Sequence, residues 1–209
     1  RRSDRPDAPL ESLQEGWHLG SNGKSMAAAL YAMEIVAKGL GTYDTTMAEV
    51  FPEYASSMKG GFKKVTVRQL MRHESGMPFM PPGDLSSKDR TAGLAQGWDT
   101  SLDPHEKRNA ILKGYFEHYR PAYKPGTSRT YSNWAYSVLG HVSESIVSKH
   151  EKKHITYEEL LQKRFFSRIG IDISWVGPPG KQGKLLHPRG HSGDGIPREP
   201  PADNPPYMT

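Results

Sequence analysis

The stretch NWAYSVLGHVSESIVSKH, residues 133–150, constrains the fold more than any other part of this chain. Ala135, Val138, Leu139, Val142 and Ile146 recur at steps of three and four, which puts them on one face of an α-helix that has to be buried. Three further stretches repeat the signal. SNGKSMAAALYAMEIVAKGL starts near Ser21, at or next to an N-cap, and stops at Lys38 and Gly39. DPHEKRNAILKGYFEHY opens with Asp103 as N-cap, Pro104 at the first helical position and Glu106 three residues after the Asp. TYEELLQKRFFSRIG places Thr156 and Glu159 at capping-box spacing. In VTVRQLMRHESGMP, Val65, Val67, Leu70 and Met71 suggest a short strand or extended lead-in and then a helical turn or two, stopped by Gly76 and Pro78. The expected class is therefore mainly α with minor β.

The 209 residues suit one domain with a real core, and 17 Pro with 21 Gly point to long loops. Residues 1–16 read as a loop or linker, 17–170 as the helical core, 78–101 within it as a long surface loop, and 171–209 as a Gly- and Pro-rich extended segment. The net charge of +5 brings nucleic acid into consideration. Against it, basic and acidic residues interleave, as in SKHEKKHITYEELLQKR, which is the pattern of solvated helix faces, so no nucleic-acid partner is expected. With no Cys, disulfides and Cys-based zinc sites are excluded. No run approaches the roughly 20 apolar residues of a membrane span, and RRSDRPDAPLES holds no signal-peptide core. The first residue is not Met, so the sequence is read as starting after processing or inside a longer protein.

GSNGKS, residues 20–25, supports two chemistries. A Walker A loop needs Gly, four residues and then Gly-Lys-Ser/Thr, because the first Gly lets backbone N–H groups wrap the phosphates. Counting back from Gly23, that position is His18. ESLQEGW before it is not strand-like, and no later apolar run ends in an Asp suited to magnesium. The other chemistry is Ser-x-x-Lys. Residues i and i+3 share a helix face, which puts the Lys24 amine near the Ser21 hydroxyl. A helix N-terminus stabilises a developing alkoxide and favours a neutral Lys, which is what a nucleophilic serine without histidine requires. A second element appears in PGTSRTYSNWAYSVLG, where Tyr131 and Asn133 sit in a turn immediately before a strongly marked helix. A phenol aimed at the serine can carry a proton to the leaving group, and an amide can hold a substrate carbonyl and the lysine.

HLGSNGKSMAA, VTVRQLMRHESGMP and PGTSRTYSNWAYSVLGHVSE, in this order and at these separations, resemble the serine β-lactamase-related family of class C β-lactamases, D-Ala-D-Ala carboxypeptidases and family VIII esterases. The resemblance runs from about His18 to Gly170, and more loosely through GPPG and ADNPP. It implies Ser21 as acyl-accepting nucleophile, Lys24 as its base partner, Tyr131 as proton shuttle and Asn133 as substrate-positioning residue. It further implies a small ester, amide or β-lactam substrate, no cofactor, and a periplasmic or secreted setting.

The family's third motif, Lys-Thr-Gly or His-x-Gly, sits on an edge strand that also supplies half of the oxyanion hole. The later candidate in this chain is HSG, His191 to Gly193, which comes early and lacks strand-like flanks, so it reads as a loop histidine. Neither chain end reads as the family's sheet strands. The 209 residues are thus expected to be the helical lobe and active-site floor of the β-lactamase/penicillin-binding-protein-like α+β fold, with most of the central antiparallel sheet absent from this chain. The missing oxyanion partner would cost on the order of 10²–10³ in rate, so little turnover is expected of these residues alone. His73 and Glu74 occupy what the family uses as a structural turn, and with His18, His187 and His191 at no ligand spacing no metal is expected. Trp17, Tyr123 and Trp134 read as core or staple residues. Two alternatives stand beside the hydrolase: a non-catalytic relative that binds or scaffolds, and a basic nucleic-acid-binding helical protein.

Overall fold

Local capping chemistry lays out the helices. Thr46, Thr66 and Thr156 each hold extended backbone, accept the N–H of the residue three places on, and receive in return the side chain of Glu49, Gln69 or Glu159 on their own N–H. The computed structural model describes residues 19–79, 104–171 and Asp194, with only the backbone at Pro104 and Lys107. Asp103 as an N-cap, the loop beyond Phe79, residues 1–16, Trp17, His18, His187 and the HSG segment lie outside the described residues.

The chain divides into two units, Arg1–Ser21 with Ser174–Pro205, and Asn22–Ile173 with Pro206–Thr209. Of the first unit, residues 19–21 and Asp194 are described, and Ser21 is exposed. Gly20–Asn22 forms a 3-10 turn at the end of that segment.

The described part of the second unit is built from α1 (Gly23–Tyr31), α2 (Met47–Val50), α3 (Val67–Met71), α4 (Pro104–His118), α5 (Asn133–Glu151) and α6 (Tyr157–Arg164). Helix α5 is the hub, with α1, α3, α4 and α6 packed on it. Of its expected apolar stripe, Ala135, Val138, Leu139 and Val142 are buried and Ile146 is half-buried. Trp134 is buried too, its ring edge-on to Tyr115 at 5.8 Å between centroids, which makes it a core residue as its place beside a helix start suggests. Phe62 meets Tyr115 and Phe116 at 5.2 and 5.5 Å.

Helix α1 runs on into a π-helical turn, Ala32–Val36, before the helix stops at Gly39. Gly39 takes φ 69°, its N–H donates to Val36 O and that of Leu40 donates to Ile35 O. This is a Schellman close, with glycine supplying the left-handed residue. Glu34 inside the π turn is buried yet ionically satisfied, paired with Lys38 and lying 3.4 Å from Arg168 Nη2. The expected lead-in to the 65–71 helix is extended but not a strand. Among the described residues it is a single antiparallel bridge, Thr46 to Thr66, with Met47 N donating to Val65 O and Val67 N to Thr45 O.

A buried ion cluster fastens α4, α5 and α6. Arg108 and Glu144 are each 1% exposed, with Arg108 Nη2 3.0 Å from Glu144 Oε2. Burial alone would raise the Glu158 carboxyl, but the same guanidinium grips it at 2.7 and 3.1 Å and, with its charge, holds it below the ordinary range. The Tyr157 N–H adds a 2.9 Å bond to Glu144 Oε2. His141 lies beside this cluster; burial, and then the charges of Arg108, His105 and His154, push its pKa down to about 3.

Removing one member of such a cluster strands buried charge of the other sign. Arg108→Met is expected to lower the unfolding free energy by about 3–5 kcal/mol, read from the urea midpoint at neutral pH. A loss below about 1 kcal/mol would mean that the cluster does not fasten the helices.

Candidate active site

The site is built on a turn that folds back at the end of α3. His73 adopts φ 61°, its N–H donates to Leu70 O, and the N–H of Glu74 donates to Gln69 O at 2.8 Å. That is again a Schellman cap, with histidine where glycine is usual, at a cost of roughly 1 kcal/mol. Surrounding bonds hold it there. The His73 carbonyl accepts from the Tyr123 hydroxyl at 3.2 Å and from Thr130 N at 3.0 Å. Its Nδ1 accepts the N–H of Ser132 at 3.1 Å, so the proton of the neutral ring is on Nε2. Three residues on, Gly76 takes φ 77°, and a Cβ there would sit 2.6 Å from Pro121 Cβ and 2.8 Å from Tyr123 O, contacts that only glycine avoids. The 73–79 segment is thereby locked to the 121–134 segment, which explains why HESG carries its Gly.

The same bonds seat the start of α5. Ser132 is the N-cap: its hydroxyl accepts Ala135 N at 2.9 Å and donates to Pro78 O at 2.6 Å. Asn133, the first residue of the helix, gives its backbone N–H to Phe79 O at 2.8 Å. Tyr136, one turn in, donates its hydroxyl to Met71 O at 2.9 Å.

Around this frame gather two of the residues expected from sequence. Lys24 Nζ stands 5.1 Å from the ring centroid of Tyr131 and 5.8 Å from that of Tyr136. Within the second unit, then, Lys24 and Tyr131 come together although more than a hundred positions separate them. Tyr131 is 44% exposed and so open to a substrate, while its ring leans on His73 at 4.5 Å and on Phe79 at 6.1 Å. Asn133 lies two residues on, half-buried. Ser21 belongs to the first unit, whereas Lys24, Tyr131 and Asn133 belong to the second.

Three contributors were not singled out from sequence as site residues. His73 reads there as a turn residue, and its backbone is one; its ring also packs against Tyr131 and, at 5.1 Å, Tyr136. Tyr136 carries a usable signal, an aromatic one helical turn into α5 on the side of Tyr131. Phe79 carries none in a Pro-rich stretch. Burial pushes the Tyr136 phenol up, whereas burial, followed by the charges of Arg129 and Lys24, pushes His73 down. The site is an aromatic box around one amine, electropositive, with a neutral imidazole behind it.

The His73 shift has a direction that can be measured. With its folded pKa below the ordinary value of about 6.5, the unfolded chain takes up this proton first as the pH falls. Its contribution to stability is full above about pH 6.5 and is lost below it. His73→Asn, which keeps an acceptor and tolerates the left-handed backbone, is expected to show a smaller drop in urea midpoint between about pH 7.5 and pH 5 than the wild type. Equal drops would remove the charge argument.

Comparison with known proteins gives a consistent result. The Beta-lactamase family profile matches residues 8–209. A D-alanine carboxypeptidase from Burkholderia cenocepacia superposes with a TM-score of 0.61 at 22% identity, over 92% of this chain and 44% of its own. A β-lactamase/D-alanine carboxypeptidase from Pseudomonas syringae does so with 0.59 at 24%, over 88% and 43%. A β-lactamase of Providencia stuartii is 21% identical over 168 residues, 80% of this chain and 36% of its own length. The chain thus spans less than half the length of these relatives, and its helical framework is a partial version of their fold. With a profile match over nearly its whole length, this chain belongs to the Beta-lactamase family.

Proposed function

We propose that the protein is a serine hydrolase acting through an acyl-enzyme, with Ser21 as nucleophile. The observation that supports this most is the Lys24 amine over the Tyr131 ring at 5.1 Å. In the sequence Ser21 stands three positions before Lys24, the spacing of one helical turn. In the proposed reaction the Ser21 hydroxyl adds to the substrate carbonyl carbon and gives its proton to the Lys24 amine. Tyr131 passes a proton to the departing nitrogen or oxygen as the bond to the carbonyl carbon breaks. Water then releases the acid and restores the serine. The cation beside Tyr131 favours negative charge on the phenol oxygen while that relay proceeds. Asn133, at the start of α5, would hold the substrate carbonyl.

Small esters, amides and β-lactams are the proposed substrate class, in line with the D-alanine carboxypeptidase and β-lactamase relatives. Among the described residues no helix is long and apolar enough to cross a membrane. A periplasmic or secreted setting, where such substrates occur, is part of the same proposal.

Labelling with a fluorophosphonate and with a fluorescent penicillin tests the nucleophile. Wild type is expected to take up one label per chain, and Ser21→Ala none. Lys24→Met and Tyr131→Phe are expected to slow acylation roughly 10²–10⁴-fold while the label, once formed, still maps to Ser21. Label on Ser21→Ala would remove the assignment. If wild type stays unlabelled yet binds the penicillin as tightly as Ser21→Ala does, the protein is a non-catalytic binding relative.

A further inference from the structure

The strongest unexplained chemistry lies three turns along α5, around Glu144. His105 in the first turn of α4, Glu144 on α5 and His154 in the 152–156 connection bring one ligand atom each to within 4.8 Å of one another. They line a cavity of about 220 Å³, together with Glu53, Asn109 and His141. Glu144 is oriented for this. Its Oε2 is taken by Arg108 Nη2 and the Tyr157 N–H, which leaves Oε1 turned toward His105 Nδ1.

A second observation comes from His141, whose side chain is 3% exposed. Its Nε2 meets Asn109 Oδ1 at 3.1 Å, an oxygen that also accepts the Tyr54 hydroxyl at 3.0 Å, so the His141 proton is on Nε2. Nδ1 is then a bare lone pair, without a hydrogen-bond partner, and it faces Glu144 Oε1 at 3.6 Å. A lone pair and a carboxylate oxygen opposed in a buried place repel each other unless positive charge lies close by. The Arg108 cation is shared between two carboxylates, Glu144 and Glu158, while Glu144 Oε1 is met by His105 Nδ1.

We propose that His105, Glu144 and His154 form a binding site for a divalent transition metal of the zinc class. Two imidazoles and one carboxylate are a donor set that suits zinc and is poor for magnesium or calcium. Ligand atoms around a tetrahedral zinc are roughly 3.3 Å apart, whereas the three donors lie within 4.8 Å of one another with His105 Nδ1 already in contact with Glu144 Oε1, so the metal has to part that pair and draw His154 in. His154 is exposed and can supply that movement by a change of rotamer. Its backbone neighbours are already in place: Ser148 Oγ accepts Ile155 N at 3.0 Å and donates to Ile155 O at 3.1 Å. Arg108 and Tyr157 act as the outer shell that aims Glu144. The metal would clamp the 152–156 connection to the first turn of α4.

The test uses the purified chain, stripped with chelator and titrated with Zn²⁺ by calorimetry and thermal unfolding, with Mg²⁺ as a second arm. Wild type and Ser21→Ala are expected to bind one Zn²⁺ and, at about a hundredfold excess over Kd, to gain roughly 5–10 °C in Tm. Mg²⁺ is expected to do nothing. His154→Asn and His105→Asn should each weaken Zn²⁺ at least tenfold while unfolding at the wild-type Tm in chelator, which separates lost ligation from lost folding. Co²⁺ should give visible ligand-field absorption in wild type that His154→Asn lacks. Zinc binding that is equal in wild type and in a His105→Asn/His154→Asn double variant would overturn the site, and so would an equal response to Mg²⁺ or no Tm shift at all.

Discussion

A guanidinium buried among three helices is the interaction on which the second unit turns. Arg108 brings one charge from α4 to meet Glu144 on α5 and Glu158 on α6, tying both outer helices to the hub through a single side chain. Desolvating these groups is expensive, and the arrangement is tolerable only because the Tyr157 N–H and the bidentate grip on Glu158 meet the remaining lone pairs. Such a cluster contributes little net stability compared with an apolar core. What it contributes is a unique register, because sliding α4 or α6 by one residue along α5 would leave charges unpaired in the interior.

Register matters because α5 is both the core and the carrier of the site. Its N-terminal end is fixed by bonds of a different kind, from Ser132 to Pro78, Asn133 to Phe79 and Tyr136 to Met71. These are all side-chain or backbone donors meeting carbonyls of the 71–79 segment, which the left-handed His73 turns back on itself. With the middle of α5 locked by charge and its start locked by hydrogen bonds, Tyr131 is held on one side while its exposed face stays open. A ring held by packing on both sides keeps one position relative to the Lys24 amine.

Helix existence was legible wherever local chemistry and periodicity agreed. The Thr156–Glu159 box, the Gly39 stop and the face of Ala135, Val138, Leu139 and Val142 were all readable before any fold was known. The pairing of Lys24 with Tyr131 was raised from side-chain chemistry and given its roles by the resemblance, since no spacing in the sequence ties the two residues together. The Arg108 cluster was missed for a physical reason. Its members lie at 108, 144 and 158, and each reads alone as a surface residue of an amphipathic helix. The overlooked signal was on α5 itself, where Ser137, His141 and Glu144 follow at helical steps beside the apolar stripe and are as buried as that stripe. A polar row on a face that must be buried has to be matched by charge from a neighbouring helix.

The two polar regions of α5 are far enough apart to act separately. From Ser132 to Glu144 the axial rise is roughly 18 Å, well beyond the Debye length of about 8 Å at physiological salt, although burial of the helix between them weakens that screening. A charge gained at Glu144 therefore reaches Tyr131 weakly through space, and strongly only if α5 itself shifts. The hydrogen bonds at its start oppose such a shift, because moving the helix by even 1 Å would stretch the 2.6 Å bond from Ser132 to Pro78 out of range. A ligand at Glu144 should thus stiffen the junction of α4, α5 and α6 without retuning the amine beside Tyr131. In this fold one helix carries two separately anchored polar regions, each held by its own neighbours.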